Sequence, residues 1–176
     1  MRTESTSRQP RYAILARRAG VGKVLAALVL ASASPAAAEQ TRSLAISLGV
    51  FNVSKDETSL EGGVEYRMPT GGWGLTAVGG LSGTEDGSIY VLAGLRRDFR
   101  LGEGWWVTPA FGMALYEDGG GKDLGGPVEF RSAIEVAYEW PKRYRLALVF
   151  YHLSNAGLDE QNPGSNSLVL TYSFPL

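Results

Sequence analysis

Residues 128–140 read VEFRSAIEVAYEW. Taken alternately, Val128, Phe130, Ser132, Ile134, Val136, Tyr138 and Trp140 fall on one side, and Glu129, Arg131, Ala133, Glu135, Ala137 and Glu139 on the other. A helix, at 100° per residue, would scatter those carboxylates around its circumference, whereas an extended strand collects them on one face. The stretch is a strand with one greasy side and one charged side.

Residues 60–68 repeat the arrangement, with Leu60, Gly62, Val64, Tyr66 and Met68 opposite Glu61, Gly63, Glu65 and Arg67. Further stretches alternate less strictly at 42–53, 73–83, 88–100, 105–116, 143–154 and 166–176, making eight in all. The least regular is 88–100, where Leu92 and Leu95 sit on opposite parities. An even number of strands in up-and-down order closes with both ends on the same side and leaves no unpaired edge. Strands of about 9–11 residues that are apolar toward lipid and polar toward a lumen cross a bilayer. The expected fold is all-β, an eight-stranded antiparallel up-and-down transmembrane β-barrel whose narrow lumen is filled by side chains.

The chain of 176 residues carries 17 Lys+Arg against 18 Asp+Glu. That balance argues against a basic face for nucleic acid, and no nucleic-acid partner is expected. With no cysteine and one histidine, a thiolate nucleophile, a disulfide and a Cys-ligated or multi-histidine metal site are excluded. No metal or organic cofactor is expected.

Residues 1–38 read as an export signal: Arg17, Arg18 and Lys23 flank a short apolar run over 24–33, and Ala36, Ala37 and Ala38 offer a cleavage site. The barrel is then 39–176, with 11 basic and 17 acidic residues and a net charge of −6. No apolar run in it is long enough for a membrane-spanning helix. With both termini periplasmic, the short turns at 69–72, 102–104 and 141–142 face the periplasm, and the longer loops at 54–58, 83–87, 117–127 and 155–165 face outward. Trp73, Trp105, Trp106, Trp140 and Tyr144 gather at the short turns, as an aromatic girdle does. The last residues alternate to the end through Leu168, Leu170, Tyr172, Phe174 and Leu176, like the terminal strand by which outer-membrane barrels are recognised.

Any chemistry sits around the single histidine, in YHLSNAG at 151–157. On a strand His152 and Ser154 leave the same face, and a base beside a hydroxyl is the minimum for nucleophilic acyl transfer. That face also carries Tyr144, Leu146, Leu148 and Phe150, the lipid side of a barrel. The pair is badly placed for the lumen and well placed for a lipid lying alongside the wall. Asn166 shares the parity of Leu168 and Leu170, so it too is expected outside, across the hairpin from the histidine.

The segment HLSNAGLDEQNPGSNSLVLTYSFPL, residues 152–176, resembles the PagL-type lipid A 3-O-deacylases, outer-membrane barrels that hydrolyse the acyl ester at the 3-position of lipid A. The resemblance implies Ser154 as nucleophile, His152 as general base and Asn155 as an oxyanion donor, with Gly157 or the amides beside it completing the hole. It implies a lipid A or lipopolysaccharide substrate and a site in the bacterial outer membrane. The departure is at Asn166, where the family's triad carries a glutamate. An amide oxygen still accepts the imidazole N–H but does not stabilise imidazolium by charge. Asp159 and Glu160 in the outer loop are alternative acids.

Two other readings stand beside hydrolysis: a weakened or inactive barrel that binds lipopolysaccharide and stabilises the envelope, and an adhesion or resistance barrel acting through its acidic loops. Whether two copies pair as a homodimer is left open.

Overall fold

The computed structural model describes residues 41–53, 58–71 and 73–176, with the backbone of Ser34–Pro35. The expected export signal lies outside the described residues apart from that dipeptide, which pairs with Phe99–Arg100. The alternating stretches form β1 (Ser43–Phe51), β2 (Ser59–Pro69), β3 (Leu75–Thr84), β4 (Ile89–Arg97), β5 (Trp105–Glu117), β6 (Val128–Glu139), β7 (Arg145–Ser154) and β8 (Ser165–Pro175). Each pairs antiparallel with its sequence neighbours, and β8 returns to β1 from Leu168↔Val50 to Pro175↔Ser43. The cylinder is closed, so no strand edge is left to face hydrocarbon, where an unpaired N–H or C=O costs several kcal/mol.

Period two sorts the side chains as the sequence anticipates. Leu60, Val64, Ile134, Val136, Leu148 and Leu170 point outward and exposed, while Glu61, Arg67, Arg131 and Glu135 are buried in the lumen. The opposed parities of Leu92 and Leu95 are real: the first is buried inside and the second faces out. The expected single stretch 88–100 is interrupted after Arg97, and the register explains the break. Arg96 pairs with Ala110 and Phe99 with Val107, so Arg97 lies opposite Pro109, which has no N–H to give the ladder.

The lumen is plugged by ion pairs. Arg96 grips Glu135 with two hydrogen bonds of 3.0 and 2.7 Å, and Arg67 reaches the same carboxylate at 3.2 Å. Arg131 binds Glu65 at 2.7 Å, and Arg145 joins Asp98 at 2.9 Å to Glu139 at 2.7 Å. Tyr90 and Tyr151 both donate to Glu61. Charges taken from water this way hold only while each has its partner, so the network stiffens the wall that carries the outer face.

The girdle needs two corrections. Trp105, Trp140 and Tyr144 lie outside, 50%, 42% and 39% exposed, with Tyr138 edge-on between the two tryptophans. Trp106 is buried in the lumen, its ring under the Arg145 guanidinium at 5.2 Å, because consecutive strand residues must face opposite ways. Trp73 lies in the turn before β3 at φ 56, not on the strand.

Candidate active site on the lipid face

Strand β7 carries Leu146, Leu148, Phe150, His152 and Ser154 outward, and the last two sit at its end farthest from the short turns. The ladders place Asn166 of β8 directly across from His152 on one side and Ser132 of β6 directly across on the other. Phe130 lies opposite Ser154. A row of polar groups, Asn166, His152 and Ser132, therefore crosses three strands at one depth, bordered by Phe150, Leu168 and Ile134 on the inner side. His152, Ser154 and Asn166 are half-buried, and Ser132 is exposed.

His152 Nδ1 lies 2.9 Å from Asn166 Oδ1. A carbonyl oxygen only accepts, so Nδ1 carries the proton and Nε2 keeps the lone pair a base needs. Gly164, at φ 58, packs against the far edge of the ring. A Cβ there would lie 2.9 Å from His152 Cε1 and 3.4 Å from Nε2. Both the backbone conformation and the ring beside it favour glycine at the residue preceding β8. The carbonyl of Gly164 accepts from the buried Lys122 Nζ at 2.7 Å, and the same ammonium donates to Asn52 Oδ1 at 2.8 Å. Three outer segments are thus pinned over the lumen behind the imidazole. Sequence reading did not single out Gly164 as a packing residue, nor Lys122 or Ser132. The Asn-Pro-Gly before β8 was the only signal for the first.

Asn155 is fully buried, and its amide is committed to the outer loops: Nδ2 donates to Gln161 O at 2.7 Å and Leu124 O at 3.3 Å. Its Oδ1 accepts from Gly157 N at 2.9 Å, an Asx turn, with Ala156 between them in the left-handed region at φ 55. Both residues expected at the oxyanion hole therefore order the loop after Ser154. Asp159 and Glu160 are exposed in that loop, and the described partner of the imidazole is Asn166 instead.

The model of the family described as Lipid A 3-O-deacylase (PagL) matches residues 58–175, about two thirds of the chain. This protein belongs to the PagL family. The match runs from the start of β2 to the end of β8 and includes every residue of the outward site. The fold agrees: the solved structure "Crystal structure of the outer membrane enzyme PagL" is 20% identical, with a TM-score of 0.58, covering 76% of this chain and 99% of that one. A structure from "De novo design of transmembrane beta-barrels" is 11% identical with a TM-score of 0.50, covering 78% of this chain and 98% of that one. No curated protein matches. The chain is an outer-membrane β-barrel with a lipid A deacylase domain, and within the PagL family its outward histidine leans on an amide.

Proposed function

We propose that this PagL-family barrel hydrolyses the acyl ester at the 3-position of lipid A by serine-histidine acyl transfer. The observation carrying the reading is the hydrogen bond that fixes His152 on the lipid side, with Ser154 two residues further along the same face. Nε2 takes the Ser154 proton as Oγ attacks the ester carbonyl, forming a C–O bond and a tetrahedral oxyanion. Collapse breaks the bond to the sugar oxygen, which receives the proton from the imidazolium, and leaves an acyl-serine. Water, deprotonated by His152, then releases the fatty acid and restores the serine.

Ser154 needs its base because a lone hydroxyl is scarcely ionised at neutral pH. Asn155 and Gly157 are the proposed oxyanion donors; Asn155 Nδ2 and Gly157 N are bonded within the outer loops, and those bonds must open for either to reach the ester. Residues 1–38 act as the export signal, and both termini face the periplasm, which puts His152 at the outer-leaflet rim where lipopolysaccharide lies. Mass spectrometry of lipid A from cells producing the protein tests this. One 3-linked acyl chain should disappear with the intact protein and persist with Ser154→Ala.

A second reading is favoured by Asn166 itself: a weakened or inactive barrel that binds lipopolysaccharide and stabilises the envelope. Acid-to-amide replacement in a serine protease triad costs about 10⁴ in kcat. This reading leaves lipid A intact in the same measurement.

A further inference from the structure

The turn between β6 and β7 lies at the other end of the barrel from His152. Arg143 N donates to Trp140 O at 3.2 Å, and Lys142, third in that turn after Pro141, has φ 70 and ψ 15. Proline second and a positive φ third is the type II pattern, which favours glycine or asparagine at the third place. Here it is lysine. The following residue, Arg143, is left-handed too, at φ 68. Two successive side-chain-bearing residues are held where their own Cβ atoms disfavour it, although glycine and asparagine would close the hairpin with less strain. Strain of this kind persists where the side chains contribute something beyond the turn.

What they contribute is charge at a defined depth. Lys142 and Arg143 line an open recess with Arg100, Glu103, Trp106 and Trp140. Arg100 ends the short paired segment Phe99–Arg100, its guanidinium 6.0 Å from the Trp106 ring centroid and its Nε donating to Gly102 O at 3.1 Å. Glu139 also borders the recess, but Arg145 binds it at 2.7 Å. Three cations thus face one further carboxylate, Glu103. The exposed Trp105, Trp140 and Tyr144 beside them mark the level where hydrocarbon gives way to headgroups.

We infer that the recess at the β6–β7 turn binds the phosphate of an anionic phospholipid in the leaflet that meets the short-turn end. The aromatic belt decides for a lipid over a free anion, because it sets the cations at the height of a lipid phosphate. The site is independent of the deacylation chemistry at the opposite rim.

Native mass spectrometry of the full chain in uncharged detergent, offered phosphatidylglycerol and phosphatidylcholine together, tests the inference. The wild-type chain should retain phosphatidylglycerol in preference, by about tenfold. Lys142→Gly with Arg143→Asn should remove the preference while holding or raising the unfolding temperature. Lys142→Gln with Arg143→Gln keeps the strained turn and should remove it as well. Retention of phosphatidylglycerol at the wild-type level by either double variant overturns the site. Displacement of the lipid by excess inorganic phosphate overturns its assignment to a membrane lipid.

Discussion

His152 and Asn166 face each other across the β7–β8 ladder, with Nδ1 and Oδ1 2.9 Å apart on the outside of the barrel. The contact sets the tautomer of the only imidazole in the chain. It supplies orientation without charge, and that division makes the contribution of Asn166 measurable.

Asn166→Leu removes the acceptor and frees the ring, and deacylation should fall by about 100-fold or more, since the base is then free in tautomer and rotamer. Asn166→Glu adds the missing charge and should raise turnover above wild type. Rates on lipid A in detergent micelles separate the cases. A rise from a measurable wild-type rate fits a working amide, and a rise from none fits the weakened barrel.

Gly164→Ala places a Cβ 2.9 Å from the imidazole Cε1 in a backbone at φ 58. The strain should cost about 1–2 kcal/mol, and the displaced ring should lower the deacylation rate at least tenfold. Thermal unfolding followed by gel mobility, beside a rate assay, reads both. Unchanged activity would show that the ring has room to move.

Lys122→Met cuts the ties to Gly164 O and Asn52 Oδ1 and leaves both acceptors without their ammonium. Charge-assisted hydrogen bonds contribute about 1.5–3 kcal/mol each, so the outer segments should loosen and become accessible to protease. Limited proteolysis should cut within 118–127 or 155–164 sooner than in wild type. The strands should stay intact.

Inside and outside of the wall should respond oppositely. Glu135→Ala removes the carboxylate shared by Arg67 and Arg96, leaving them Glu65 at 2.9 Å and Asp98 at 3.5 Å, and should cost about 3 kcal/mol, the low end of the penalty for breaking a buried pair from one side. Leu148→Ala, facing lipid and 51% exposed, creates no cavity and should stay within about 1 kcal/mol. Equilibrium unfolding in lipid vesicles compares them.

Strand number, inward and outward faces and the outward row of His152, Ser154 and Asn166 were legible because each follows from parity alone. Trp106 was misplaced for a related reason. Clustering near turns suggests a girdle, but only parity decides which of two adjacent tryptophans can join it, and Arg145 inside the lumen holds this one. The break opposite Pro109 depends on register between β4 and β5, which alternation within one strand does not carry. Gly164 and Lys122 act through loop closure over the lumen, between residues tens of positions apart. No local pattern encodes such contacts. The bond from Asn155 to Leu124 O, 31 residues away, is of the same kind.

Covalent capture tests the central chemistry most directly. A long-chain phosphonate ester, added to the purified chain in detergent, mimics the tetrahedral state and reacts only with an activated hydroxyl. Peptide mapping should find the phosphonyl group on Ser154, and labelling should vanish with His152→Ala. An unlabelled Ser154, or equal labelling without the histidine, would contradict acyl transfer on the lipid face.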